Sequence, residues 1–230
     1  MIHKISVLLL LILLVACKQK VKENTKVESK PTDTTTTQIV KEDKEDYVCI
    51  PYKKVGRVLP THTYADLEKL FGKANLSVDT IKFDGEIMGY NTLLKVTPTQ
   101  VLSIMWKEGL PPYKTIEMIK ISDAASKFKT AEGIGVGSTL TDLIKANGGQ
   151  HFKFHGFGGE GAGICCSGTK VGFLSGVSSL ALKLPTDDYS AFTKAEQDKI
   201  LDTQKEISSN LPVWQKYMPT VYELYIYMNK

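Results

Sequence analysis

One ten-residue pattern occurs twice in the chain. Residues 63–72 and 139–148 both read T-x-x-D-L-x-x-x-x-G and align without a gap, 76 residues apart. The threonine can cap the start of a helix, and the aspartate three residues later faces the positive end of the helix dipole. The glycine supplies the left-handed conformation that ends a short helix. Two copies at identical spacing predict a duplicated structural unit. The predicted capping residues are Thr63, Asp66, Thr139 and Asp142.

The segments that follow each copy also correspond. Strand-like apolar runs and alternations follow both helices. After the first copy they cover residues 77–83, 86–96, 101–106 and 114–121, and after the second 151–157, 163–174, 178–184 and 221–228. Each unit is therefore predicted to be a short helix on a three- or four-stranded antiparallel sheet, and the fold class is α+β. An insertion, residues 186–219, carries a predicted helix from Thr193, with Glu196 as its capping-box partner, to about Ser208.

The N-terminus has the pattern of an exported protein. Residues 1–16 combine a short basic start with an apolar run from Val7 to Ala16, which is too short to span a membrane and has the length of a signal-peptide core. The run closes on L-V-A-C, which resembles the lipobox of bacterial lipoproteins. That resemblance implies that Cys17 carries a diacylglycerol and anchors the chain to a membrane. The alternative is an ordinary cleaved signal followed by a chance cysteine.

The lipobox resemblance also implies a compartment. A lipoprotein of this kind resides in the bacterial cell envelope. An aspartate directly after the lipidated cysteine would resemble an inner-membrane retention signal, but Lys18 stands at that position. We therefore expect an outer-membrane lipoprotein that faces the periplasm. Residues 17–46 contain Cys17 and a polar segment too poor in apolar residues to order itself, so they are predicted to be a disordered linker. The two repeat units are then residues 47–128 and 129–230.

The charge balance argues against one class of partner. The net charge is +4 and 23% of residues are charged, with no basic stripe interleaved with aromatic residues. Binding of nucleic acid relies on such a concentration of positive charge. Nucleic acid is therefore not an expected partner.

The predicted layout resembles known folds. It is similar to the tandem helix-plus-sheet fold of the β-lactamase inhibitor protein, and single units of this type occur in small outer-membrane lipoproteins of the SmpA/OmlA kind. It also resembles a group of uncharacterised lipoproteins of Bacteroidetes type with the pattern I-x-x-G-x-S-x-x-D-L … N-G-x-x-F … G-F-G, which residues 134–158 follow. In that group an aromatic–acid pair follows the last glycine, whereas Gly159 and Glu160 stand here. The resemblance implies protein binding and no catalytic residue.

A glycine pattern in the second unit looks like a cofactor motif. Gly156, Gly158 and Gly161 spell G-x-G-x-x-G. A dinucleotide site needs a helix that opens on the last glycine, so that its amides face the pyrophosphate. The residues that follow are rich in glycine and β-branched side chains and lack a helical period. A glycine-rich β-turn or bulge is the favoured interpretation, and no cofactor is expected.

Three cysteines remain once Cys17 is assigned to lipid. An oxidising envelope favours a disulfide between Cys49 and either Cys165 or Cys166. The alternative is three small buried side chains. A catalytic thiol at Cys165–Cys166 would need a base, and His155 is the nearest candidate.

The histidines do not form a metal-binding pattern. His151 and His155 are four residues apart. On a strand this spacing separates them by about 13 Å, which is too far for one ion. No metal site is expected, and both histidines are predicted to face solvent beside Phe152 and Phe154.

The last strand offers a candidate interface. One of its faces is aliphatic, whereas the other consists largely of the tyrosines Tyr222, Tyr225 and Tyr227. Trp214 is a further aromatic residue that could contribute to the interface. Tyrosine-rich surfaces are common in protein interfaces. The alternative is that the inserted helix covers this aromatic face.

These observations lead to two main functional hypotheses, beside a third, structural option in which the chain is a subunit of a surface assembly. The first is a lipid-anchored, non-catalytic module or scaffold that binds another envelope protein. The second is an envelope enzyme with a Cys/His site around Cys165, Cys166 and His155. Because no paired acid and base and no other nucleophile motif occur in the sequence, we favour the first.

Overall fold

Both predicted capping boxes form. In the computed structural model, helix α1 (Tyr64–Phe71) begins after Thr63, whose hydroxyl accepts from the Asp66 amide while the Asp66 carboxylate accepts from the Thr63 amide. Helix α2 (Leu140–Ala146) is capped in the same reciprocal way by Thr139 and Asp142. These hydrogen bonds hold the pKa of both aspartates below the ordinary value of 3.8.

The structure describes residues 46–83, 85–158, 163–165, 178–202 and 205–230. The predicted signal peptide, the lipobox with Cys17, and all of the predicted linker except Asp46 lie outside this set. The described residues belong to one compact unit, Lys44–Lys230. In this part of the chain, no helix has the length and apolar character needed to cross a membrane.

The fold is mixed α+β with one large antiparallel sheet. Nine strands lie in the order β11-β8-β9-β10-β12-β6-β5-β4-β3. Their bounds are β3 Leu76–Phe83, β4 Glu86–Thr97, β5 Gln100–Trp106, β6 Ile116–Ile121, β8 Lys153–His155, β9 Ile164–Cys165, β10 Ser178–Lys183, β11 Glu206–Ser208 and β12 Thr220–Tyr227. A separate three-stranded sheet has the order β2-β1-β7, with β1 Val48–Ile50, β2 Lys54–Val55 and β7 Lys129–Thr130.

The large sheet is built from two runs of strands. Helix α1 precedes the meander β3-β4-β5-β6, and helix α2 precedes the series β8, β9, β10 and β12. The two series meet at their last strands, because β6 pairs antiparallel with β12. All pairings within the large sheet are antiparallel.

One face of this sheet carries the core. Antiparallel partners point to the same side of a sheet, so the register traces a line of buried side chains across the strands. The line contains Ile104, Ile119, Ile226, Leu224, Leu180, Cys165 and Phe154. Leu67 of α1, Leu143 of α2 and Ile200 of α3 (Lys194–Ile200) belong to the same core. The helices therefore lie on this face.

The structure shortens one predicted helix. The capping box of α3 forms at Thr193 and Glu196, but the helix ends at Ile200 instead of continuing to Ser208. Residues Glu206–Ser208 form strand β11, which pairs with β8 so that Ile207 lies opposite Phe154. Burial of Ile207 against the core thus overrides the helical propensity of this polar segment.

A carboxylate fixes the hairpin between β5 and β6. Glu108 Oε2 accepts from the amides of Lys114, at 3.1 Å, and Thr115, at 3.0 Å. These two hydrogen bonds lower the pKa of Glu108 from 4.5 to about 2, and the one from Thr115 has the larger effect. A group whose pKa is lowered by folding contributes stability above its unfolded pKa, and loses it as the pH falls through its folded pKa.

We therefore expect acid sensitivity that depends on Glu108. Lowering the pH from about 4.5 to about 2 should reduce the melting temperature of the wild type more than that of Glu108→Gln, because the amide does not titrate. Thermal unfolding followed by circular dichroism over this range measures the difference. Glu132→Gln, at an exposed glutamate, is the control. Parallel acid dependence in the wild type and Glu108→Gln would contradict the assignment.

Candidate functional site

The face of the large sheet opposite the core carries the predicted tyrosines. Along β12, Leu224 and Ile226 are buried in the core, whereas Tyr225 and Tyr227 alternate with them and are half-buried on the other side. We call this side the outer face and define it by Leu93, Val101, Met105, Met118, Lys120, Tyr225 and Tyr227. The predicted division of the strand into an aliphatic and a tyrosine face is confirmed for these residues.

Cross-strand register joins the outer face into two rows. Asn91, Met105, Met118 and Tyr227 are successive partners on β4, β5, β6 and β12. The neighbouring row contains Leu93, Ser103, Lys120, Tyr225 and Ser179. Met105, Met118 and Lys120 were not predicted as site residues, although their alternation with buried isoleucines was a usable signal.

The outer face remains half-exposed. Its apolar residues retain intermediate exposure, whereas Ile104, Ile119 and Ile226 on the opposite side are fully buried. Within the described part of the chain, the apolar side chains of the outer face do not pack against the core. The helices and the small sheet contribute to the core instead.

Charged and polar groups hold one tyrosine in place. Lys120 Nζ lies 3.3 Å from Glu223 Oε1, and the Tyr225 hydroxyl donates to Glu223 Oε2. Burial raises the pKa of Tyr225, and its hydrogen bond to Glu223 raises the pKa further. Tyr225 therefore stays protonated at neutral pH and presents a fixed ring.

A buried amide lies on the same face. Asn91 is 6% exposed, and its Nδ2 donates to the hydroxyl of Ser103. Its Oδ1 is buried and has no hydrogen-bond partner within the described part of the chain. An unpaired buried acceptor of this kind carries an energetic cost.

Tyr222 occupies a different position from the other two tyrosines. The register between β10 and β12 shifts at this point, with Val221 opposite Leu182 and Glu223 opposite Ala181, so Tyr222 is the extra residue of a β-bulge. It lines a depression of about 200 Å³ together with Val136 and Lys183. Burial raises its pKa.

Trp214 does not belong to the candidate interface. It is 3% exposed and packs in the core, with ring centroids 5.7 Å from Phe154 and 6.0 Å from Phe157. Its indole N–H donates to the Ser208 carbonyl at 2.9 Å. The prediction of Trp214 as a surface contact is therefore wrong, because the insertion folds it onto the aliphatic side.

The described part of the insertion does not cover the outer face. Ile200 of α3 accepts a hydrogen bond from the Phe157 amide at 2.7 Å, and Phe154 pairs with Ile207 of β11. Phe154 lies in the line of core side chains that includes Leu224. The alternative in which the inserted helix covers Tyr225 and Tyr227 is therefore wrong.

The glycine-rich segment connects two antiparallel strands, as predicted. It joins β8 to β9, where Phe154 lies opposite Cys165. A side-chain carbon on Gly156 or Gly158 would overlap the backbone at the end of α3, in the second case 2.8 Å from the Leu201 carbonyl carbon. Strand β9 follows Gly163, and Gly161 lies outside the described residues. Gly156 and Gly158 therefore serve close backbone packing.

The predicted disulfide of Cys49 does not form. Cys49 is a free thiol, 1% exposed, and burial raises its pKa to about 12. Its backbone lies between Val55 and Thr130 in the small sheet, which directs the side chain into the core. Cys165 is disulfide-bonded, but not to Cys49. Cys17 and Cys166 lie outside the described residues.

Both histidines near the glycine-rich segment face solvent, as predicted. His151 and His155 are exposed, whereas Phe152 and Phe154 between them are buried. His151 Nδ1 lies 3.2 Å from the Ser209 hydroxyl. Among the described residues, no group of three or more histidine, cysteine, aspartate or glutamate side chains could hold a metal ion.

Comparison of the chain with protein-family models, curated protein sequences and solved structures gives no match.

Proposed function

We propose that this chain is a lipid-anchored lipoprotein of the bacterial cell envelope whose outer face binds another envelope protein without catalysis. The observation that carries the proposal is the half-exposed row of Met105, Met118 and Tyr227 beside Tyr225, on the face opposite the core. Tyrosine and methionine are enriched at protein interfaces, where they supply contact area that adapts to a partner.

The polar groups of the outer face suit this role. The Lys120–Glu223–Tyr225 network fixes one ring before binding, which reduces the entropy lost on association. A surface of this kind combines apolar anchors with a small number of placed polar groups.

We also propose that the fold is two tandem units similar to those of the β-lactamase inhibitor protein. The two series of strands, each after a helix with the same Thr–Asp capping box, support this duplication. Pairing of the last strands of the two series gives one continuous sheet, and therefore one extended outer face.

Cysteine chemistry weighs against the enzyme alternative. A nucleophilic thiol must reach its thiolate form, but Cys165 is engaged in a disulfide and the pKa of Cys49 is raised to about 12. The described residues therefore offer no activated thiol near His155.

The anchor has its own test. Cys17→Ala should move the protein from the membrane fraction to the soluble periplasmic fraction, because multiple acyl chains hold a protein stably on a bilayer. Detergent phase partitioning and fractionation of cells measure the change, with Cys49→Ala as the control that keeps the lipid. Retention of Cys17→Ala in the membrane fraction would contradict the lipid anchor.

Binding by the outer face is tested by comparative purification from the native envelope. Met118→Glu and Tyr225→Ala should each reduce the yield of a specific co-purifying protein by about tenfold or more, because anchors at an interface carry most of the binding energy. Lys69→Glu, at an exposed position on α1, should leave that yield unchanged. Equal yields from the wild type and both outer-face variants would contradict the proposal.

A further inference from the structure

Strand β3 has an unpaired edge. Among the described residues it is the last strand of the nine-stranded sheet and pairs with β4 alone, and it runs for eight residues without proline. The amide of Thr80 donates to the side chain of Asp79 at 2.8 Å, so it is not used in the ladder with β4. Because amides alternate along an antiparallel strand, those of Val78 and Lys82 point to the same free side.

An apolar groove borders this edge. Its volume is about 530 Å³, and the residues that line it include Tyr64, Ala65, Val78, Pro111, Pro112 and Lys114. Tyr64 lies 6.1 Å from Tyr113 between ring centroids, and Tyr113 stacks on Trp106 at 5.5 Å. A packed aromatic cluster therefore supports the wall of the groove.

Exposed apolar side chains are frequent on the two hairpins that contribute residues to the groove. Of the seven exposed large apolar residues in the described part of the chain, four lie on the two hairpins that border it. Val78 and Ile87 are each 54% exposed, Met88 is 65% exposed and Leu110 is 66% exposed. Such a concentration is typical of a binding surface, whereas single exposed apolar residues are ordinary.

We propose that β3 and the adjacent groove bind an extended peptide segment of a partner protein by strand addition. The backbone of the peptide pairs with the free edge at Val78, Thr80 and Lys82, and one apolar side chain enters the groove. In this mode, backbone hydrogen bonds give affinity and a pocket for alternate side chains gives specificity. The peptide carbonyl displaces the Asp79 carboxylate from the Thr80 amide.

The register identifies the residue that enters the groove. Val78 lies opposite Thr92, which lies opposite Ile104, so the Val78 side chain is on the face of the sheet that carries the core. A peptide residue paired with Val78 points its side chain to this same face, towards the groove.

Charge favours an acidic residue in the peptide. Among the described residues that line the groove, Lys114 is the one charged side chain, and Lys82 lies on the same face as Val78. The negative charge of Glu108 is engaged by the amides of Lys114 and Thr115. The expected ligand is therefore an extended segment with an apolar residue near an acidic one.

This site is separate from the outer face and does not depend on it. Val78 and the groove lie on the side of the sheet that carries the core, whereas Tyr225 lies on the opposite side. Tyr225→Ala should therefore leave peptide binding unchanged, so failure of one proposal is distinguishable from failure of the other.

The test measures binding of the full chain to an array of capped decapeptides. Each peptide is rich in threonine and carries one variable central residue, which is leucine, phenylalanine, serine or lysine. A glutamate or a lysine is placed near this central residue. We expect the tightest binding to peptides with leucine or phenylalanine near glutamate. Val78→Lys should weaken this binding about tenfold or more, as loss of an interface anchor does. Val48→Lys, at a valine that is 41% exposed, is the matched control and should bind normally.

Variants at the edge separate strand addition from a simple apolar contact. Thr80→Pro removes the outward amide and should abolish binding, whereas Thr80→Val keeps the amide and should bind as the wild type does. Asp79→Ala should bind several-fold more tightly, because the Thr80 amide is then free. Thermal unfolding verifies that each variant is folded. If Thr80→Pro is not folded, the binding of Val78→Lys tests the proposal instead.

Three outcomes would overturn the proposal. They are an array that binds no peptide, equal affinity of the wild type and Val78→Lys for every peptide, and dimerisation of the chain through β3 in light scattering without peptide. In the last case the edge serves a second copy of the chain.

Discussion

Replacing Trp214 by alanine is expected to lower the free energy of unfolding by about 3–5 kcal/mol, the usual cost of removing a large buried aromatic side chain. The indole fills the space between the insertion and β8, where it touches Phe154 and Phe157. Chemical denaturation of the wild type and the variant measures the loss.

Trp214→Phe is the matched comparison. It keeps an aromatic ring in the core but removes the donor to the Ser208 carbonyl, so we expect a loss of about 1–2 kcal/mol. If Trp214 instead served a surface contact, Trp214→Ala would leave unfolding unchanged within about 0.5 kcal/mol and reduce binding only. That result would contradict its place in the core.

Replacing Gly158 by alanine is expected to destabilise the protein by about 3 kcal/mol, at the upper end of the usual cost of overpacking. The added methyl group would overlap the backbone of Leu201, which directly follows α3 and cannot move without displacing the insertion. Denaturant unfolding measures the effect, and Gly156→Ala should behave in the same way because Asp202 is equally close.

Gly109→Ala is the control for the glycine prediction. A side-chain carbon at Gly109 meets nothing within 4 Å, so the change should stay within about 0.5 kcal/mol. Equal stability of the Gly158→Ala and Gly109→Ala variants would show that Gly158 is not required for close packing.

The predictions that held rest on local chemistry. A capping box needs only a threonine and an acid three residues apart, so all three boxes, at Thr63, Thr139 and Thr193, could be recognised in the sequence. The long strands β3, β4 and β5 were predicted within about two residues, because alternation and β-branched residues mark strands without reference to a partner.

The predictions that failed depend on distant partners. Residues 201–208 have good helical propensity, but Ile207 gains more by pairing with Phe154 in a sheet. Cys49 is buried because β1 pairs in parallel with β7, about 80 residues away, and two-residue strands leave no periodic signal. Trp214 was misplaced because the sequence does not show which face of the sheet the insertion covers.

The candidate site could be predicted from the sequence only in part, because it too depends on distant partners. The tyrosines of β12 are visible as an alternation within one strand. Met105, Met118 and Lys120 join them only through the order and register of β5, β6 and β12, which are properties of the folded sheet. The edge of β3 likewise becomes a feature only once its place at the end of the sheet is known.

Site-specific photo-crosslinking in intact cells tests the central claim most directly. A photoreactive phenylalanine analogue is placed at Tyr225 or Met118 on the outer face, and at exposed Lys69 or Lys199 on the helical side as controls. Binding through the outer face predicts one discrete crosslinked protein from Tyr225 and Met118 and none from the controls. Crosslinks from Lys69 and Lys199 alone, or the absence of any adduct at Tyr225 and Met118, would contradict it.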